Sequence, residues 1–162
     1  MKGYASVALF CASLSGAPDF ASGDCKFLKK VALPERQTAV IATGDLEACS
    51  LGSYSVRIYS SENVQPGDDT TFYRFGLLHE RDGTVEDAFL ANLGPSAPAS
   101  LIVKIRSVGS GGHVSARAYV VSKNGIYAVA AIRDQRPQTD VVAALKKQLS
   151  TRLKPRAGLS TK

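Results

Sequence analysis

From position 37 onward, apolar residues come in short runs or in alternation with polar ones, and Gly, Pro, Asn, Asp or Ser closes each run. A period of two is that of strands whose faces see different surroundings. The pattern predicts strands over 37–43, 52–60, 71–79, 84–90, 101–107, 113–121 and 126–133. In 52–60, Tyr54, Val56 and Ile58 share one face, and Ser53, Ser55, Arg57 and Tyr59 the other. One side is core and the other is wet. Such a set suffices for an antiparallel sandwich or barrel. The dipeptides Asp82-Gly83 and Asn124-Gly125 supply the positive φ of tight hairpins, which predicts that the strands they join are antiparallel neighbours. The stretches 61–70 and 92–100 read as surface loops. The period then changes. After the N-cap candidates Thr139 and Asp140, residues Val142, Leu145, Leu149 and Leu153 follow at helical spacing and stop before Pro155.

Composition narrows this to one domain. The chain has 162 residues, 44% of them apolar, with 14 Gly, 7 Pro and 3 Cys, enough to bury a core without a disulfide lattice or a metal. It is too apolar for a disordered chain, and it has no apolar run long enough for a membrane span.

Residues 1–23 begin Met-Lys, pass through an apolar segment and end among small residues, which reads as a secretory signal; a buried N-terminal strand or helix is the alternative. The domain then covers 24–154, and 155–162 form a basic tail. Removal of a signal takes Cys11 with it and leaves Cys25 and Cys49 as the pair. In an oxidising compartment their disulfide contributes about 3 kcal/mol by the chain-entropy account.

Charge is unevenly spread. Residues 1–87 hold 8 basic and 12 acidic groups, whereas residues 88–162 hold 12 and 2. A cationic second half suits an acidic partner, although a solvated face would look the same. Catalytic motifs are missing. There is no Gly-x-Ser-x-Gly elbow, no phosphate-binding Gly-Lys-Ser/Thr, no dinucleotide fingerprint and no Cys-x-x-Cys. The histidines are His79 and His113; the carboxylate pairs Asp45/Glu47 and Asp68/Asp69 read as solvated surface, and nothing implies a metal or other cofactor. The chain reads as a binder, not an enzyme.

The segment Ser107-Val108-Gly109-Ser110-Gly111-Gly112-His113 is the best candidate for binding. Its glycines make a narrow loop that is either a plain hairpin turn or a projecting contact. Arg106 and Arg117 flank it, with Lys104, and no acidic residue occurs between Ala88 and Arg133. The Ser110 hydroxyl and the His113 ring can donate to carboxylates, each bond worth about 1.5–3 kcal/mol.

The segments 52–59 (Gly-Ser-Tyr-Ser-Val-Arg-Ile-Tyr), 81–86 (Arg-Asp-Gly-Thr-Val-Glu) and 107–112 (Ser-Val-Gly-Ser-Gly-Gly) occur in an order and spacing that resemble the periplasmic inhibitors of I-type (invertebrate) lysozyme. The likeness runs from about Gly44 to Leu149. It implies an all-β fold, an antiparallel β-sandwich of about seven to eight strands with one C-terminal α-helix. It also implies a periplasmic location and a loop that enters the lysozyme's acidic cleft, and it allows a homodimer. The family's Ser-Gly-x-Tyr motif falls on Ser110, Gly111, Gly112 and His113, so this chain has histidine in the tyrosine place. A histidine side chain donates and stacks, but it is shorter than a phenol and can carry charge. The resemblance implies partner contacts by Ser110, Gly111, Gly112 and His113; the loop residues Ser107 and Gly109 and the neighbouring cations Arg106 and Arg117 complete the expected partner-binding set. Where relatives often have an Asp- and Gly-rich turn, residues 92–100 have no carboxylate, so no ion is expected there.

The competing reading is a cationic periplasmic module that binds an anionic envelope polymer, with steep salt dependence. Aromatic partners for bases are sparse in the basic half, Tyr119 and Tyr127, which argues against a nucleic-acid binder. A hydrolase would have to work through His79 or His113.

Overall fold

The computed structural model describes residues 25–61, 65, 70–95 and 98–153. The signal-like segment, Cys11, Asp68, Asp69, most of the 61–70 loop and the basic tail lie outside them. Among the described residues the elements are β1 (Leu28–Leu33), β2 (Gln37–Thr43), β3 (Leu51–Ser60), β4 (Phe72–Asp82), β5 (Thr84–Ala91), β6 (Ser100–Arg106), β7 (Val114–Ser122), β8 (Gly125–Gln135) and α1 (Val141–Leu153). Strands β1 to β4 form one antiparallel sheet in chain order, and β5 to β8 form a second. The two pack as a sandwich.

The alternation decides what each layer buries. Ala39, Ile41, Tyr54, Val56 and Ile58 of the first sheet face Val85, Ala88, Leu101, Val103, Ile105 and Tyr119 of the second. On the far side of the second sheet, Ile102, Val114, Ala116, Ala118, Ala130 and Ile132 lie under Val141 and Leu145 of α1. Strand β6 is therefore covered on both faces, which is why Leu101-Ile102-Val103 runs apolar without alternation. The helix starts where the sequence places it: the Asp140 carboxylate accepts from the amides of Val142 and Ala143, at 2.9 and 3.0 Å. Its apolar contact is centred on Val141 and Leu145, while Val142 and Leu149 are only partly buried.

Three expectations need correction. Asp82-Gly83 is not a hairpin: β4 pairs with β3, and β5 pairs with β6. Gly83, at φ 120, carries the chain from one sheet to the other with its backbone pressed on the Arg106 carbonyl. An Asp-Gly pair signals positive φ but does not say which strands pair. Second, the 92–100 segment is not all surface, because Leu93 is buried in the cluster beneath α1. Third, Glu47 is not a freely solvated carboxylate. It accepts from the Ser53 amide at 2.6 Å and from the Ser53 hydroxyl, and it faces the Arg81 guanidinium at 3.4 Å.

Arg81 is 2% exposed. It is tolerated there because its nitrogens also donate to the carbonyls of Ala48, Cys49, Ser53 and Gly83, at 2.7–3.1 Å. This junction fastens the 45–50 connection to the sheet crossover. The disulfide Cys25–Cys49 ties the same connection to the start of β1.

Candidate functional site

The loop 107–113 joins β6 to β7, which pair directly up to Arg106 and Val114. Its neck is closed by the Ser107 amide donating to the His113 carbonyl at 2.8 Å, and its tip by the Gly112 amide donating to the Gly109 carbonyl at 3.0 Å. The Gly109 amide donates to the Ser107 hydroxyl at 3.3 Å. Val108, Gly109, Ser110, Gly111 and His113 are exposed, Val108 at 55%. Among the described residues, no hydrogen bond engages the Ser110 hydroxyl or the His113 ring.

The three glycines are not equivalent. Gly112 sits at φ 50, where a side chain is strained. Gly111 lies directly under the imidazole of His113, so a Cβ there would have to displace the ring. Gly109 has neither reason: its φ is not positive, and a Cβ would meet nothing closer than the Ser107 hydroxyl at 3.5 Å. Nothing inside the fold requires glycine at 109.

Beneath the loop, Arg106 is held on two sides. One terminal nitrogen donates to the Gly112 carbonyl at 3.2 Å and the other to Glu86 at 2.8 Å. Lys104 approaches the second Glu86 oxygen at 3.2 Å. The hydrogen bond from Arg106, helped by Lys104, holds the Glu86 carboxyl below the usual carboxylate range although partial burial works against it. Lys104 and Arg106 are thus not the bare cations that the linear charge count describes. Glu86 escapes that count because it comes from β5, where the register slips between Val85 and Asp87 and places it beside both. The visible signal is the alternation of β6, which puts Lys104 and Arg106 on one face where a neighbouring strand has to answer them.

The sequence-predicted residues Arg106, Ser107, Gly109, Ser110, Gly111, Gly112 and His113 come together in and under this loop. Arg117 does not join them. It shares a cleft of about 240 Å³ with Arg81, Ile105, Ser115, Arg133 and Asp134 at the end of the sandwich. Burial, and then the charge of Arg117, hold His79 below the ordinary histidine range. His79 is packed 5.9 Å from the Tyr54 ring and 5.6 Å from the Tyr119 ring. It lies on β4 among these rings and His113 on the 107–113 loop, and no contact joins the two. Among the described residues no group of three or more His, Cys, Asp or Glu is placed to hold a metal ion.

Residues 25–149 match the family model described as periplasmic lysozyme inhibitor of I-type lysozyme. No curated protein matches the chain. Similar solved structures include the following two. One is the periplasmic lysozyme inhibitor of I-type lysozyme from Aeromonas hydrophila, 33% identical, with a TM-score of 0.64 over 74% of this chain and 98% of the other. The second is the Aeromonas hydrophila inhibitor in complex with Meretrix lusoria lysozyme, 34% identical, with a TM-score of 0.64 over 74% and 95%.

Proposed function

The chain belongs to the family of periplasmic lysozyme inhibitors of I-type lysozyme, and from that premise we propose that it blocks an I-type lysozyme by inserting the 107–113 loop into the enzyme's acidic substrate cleft. It acts in the periplasm, as the family does, and performs no catalysis of its own. The observation that carries the loop reading is Gly109. A glycine that the fold does not need, at the exposed end of a loop, fits a surface where another protein's atoms come close. The Ser110 hydroxyl and the His113 ring are free to donate to carboxylates, and Ser107, Gly111 and Gly112 shape the backbone that presents them. Arg106 fixes the loop from below. Arg117 adds positive potential from the sandwich end without touching the partner.

Lysis of bacterial cell walls by an I-type lysozyme, titrated with the purified protein, tests this against c-type and g-type enzymes in parallel. Near-stoichiometric inhibition of the I-type enzyme is expected. Ser110→Ala and His113→Ala each remove one charge-assisted bond and weaken inhibition roughly 10-fold or more. Gly109→Ala weakens inhibition while leaving thermal stability unchanged. Full potency in the Ser110→Ala/His113→Ala double variant removes the loop from the mechanism. The polymer-binding reading spreads affinity over many cations, and two of these, Lys104 and Arg106, are already answered by Glu86.

A further inference from the structure

We propose that Glu86 is a positioning residue for the inhibitory loop: it holds the Arg106 guanidinium in the one orientation that grips the Gly112 carbonyl and so sets the exposed edge from Ser110 to His113. The inference rests on the loop reading above and adds a residue from another strand to it. Arg106 is long and flexible, and by itself its head would sample several rotamers in solvent. Here its two terminal nitrogens are committed to different acceptors, Glu86 at 2.8 Å and Gly112 at 3.2 Å. The planar guanidinium transmits the orientation imposed by one acceptor to the other. Lys104 takes the remaining Glu86 oxygen at 3.2 Å, so the carboxylate cannot swing without giving up a second cation. The grip falls on Gly112, the residue at φ 50 that turns the loop back toward β7, one position before His113. The chain is therefore braced at its turning point, while the neck bond from Ser107 to His113 fixes only the base.

The inference opposes simple charge attraction. If Glu86 mattered only through its charge, neutralising it would make the loop's surroundings more cationic and strengthen binding to an acidic cleft. If it positions Arg106, neutralising it weakens binding. Glu86→Gln keeps the shape and removes the charge. Inhibition of an I-type lysozyme, thermal stability and amide hydrogen exchange across 107–113 are measured together on the full-length protein. The expected result is inhibition weakened about tenfold, with the Ser107 and Gly112 amides exchanging about tenfold faster and the melting temperature at pH 7 lowered only by the small amount that losing a half-exposed ion pair costs. Arg106→Lys, which retains the charge but lacks the rigid planar fork that couples the two acceptors, should behave alike. Unchanged or stronger inhibition by Glu86→Gln overturns the proposal, as does weaker inhibition with unchanged exchange, which would make Glu86 a direct contact. If the wild-type protein inhibits no lysozyme, the functional reading fails. The exchange measurement still decides the brace: faster exchange in both variants supports it, and unchanged exchange ends it.

Discussion

The hydroxyls of Tyr54 and Tyr119 meet at 2.6 Å between the two sheets, with the His79 ring packed beside both. One phenol donates to the other, so each is the other's answer to burial. Replacing either with Phe leaves a buried hydroxyl unanswered and should cost about 1–3 kcal/mol. Replacing both should lie closer to the wild type than the sum of the single losses, and a urea-unfolding cycle over the four proteins reads that coupling.

Burial pushes both phenols above the ordinary tyrosine range. The folded state thus keeps protons that the unfolded chain releases, and stability is full below about pH 10 and falls as the pH rises above it. Alkaline titration followed by phenolate absorbance should show these two among the six tyrosines ionising only as the protein unfolds.

Glu47 predicts the opposite limb. Hydrogen bonds from the Ser53 side chain and amide, and then the charge of Arg81, hold its carboxyl below the usual range. That contribution is present above the unfolded glutamate value near 4.5 and is lost as the pH falls through the folded one. Glu47→Gln should lower the melting temperature at pH 7 and flatten its decline in acid, as calorimetry at several pH values would show.

Gly83→Ala should destabilise the protein by at least about 2 kcal/mol, because φ 120 disfavours a side chain and the new methyl runs into the Arg106 carbonyl. The Arg106–Ser107 backbone is the root of the 107–113 loop, so inhibition should weaken as well. Gly109→Ala, with open space around it, is the contrasting case in the same denaturation experiment.

The β1–β2 turn offers a gain instead. Glu35 and Arg36 both adopt positive φ, 57° and 53°, with the Gln37 amide donating to the Pro34 carbonyl at 3.3 Å. This is the geometry in which Asn-Gly is preferred. Glu35→Asn with Arg36→Gly should raise stability by about 1 kcal/mol or more, visible as a higher denaturant midpoint with an unchanged slope.

Seven of the strands, the helix and the disulfide were legible because each leaves a local mark: alternation, a period of 3.6, an odd cysteine count made even. Strand β1 leaves none. Its inward face reads Phe27, Lys29, Val31, Leu33, and the lysine breaks the apolar pattern because its partner, Asp87, lies 58 residues away at 2.6 Å on the other sheet. Glu86 escaped for the same reason, as did the pairing of Glu47 with Arg81, 34 residues away, although Ser53 is only six residues from Glu47. A carboxylate's partner is set by sheet register, which the linear order does not display. The loop itself was readable from its glycines. What the glycines hid was their different reasons, since only the folded backbone separates Gly112, Gly111 and Gly109.

The crossover at Gly83 divides the chain into two four-strand meanders, each complete in itself. Among the described residues every strand pairs only with a neighbour in sequence, so the sandwich forms without the long return connection of a Greek key. Each pairing closes only the connection between consecutive strands, the longest running from Ser60 to Phe72, which favours faster folding than a Greek-key sandwich of the same size. It also makes each half a candidate fragment: a nick in the crossover would separate a first meander from a second that carries both the helix and the whole 107–113 segment. The interlocked side chains between the sheets would remain to bring the halves back together.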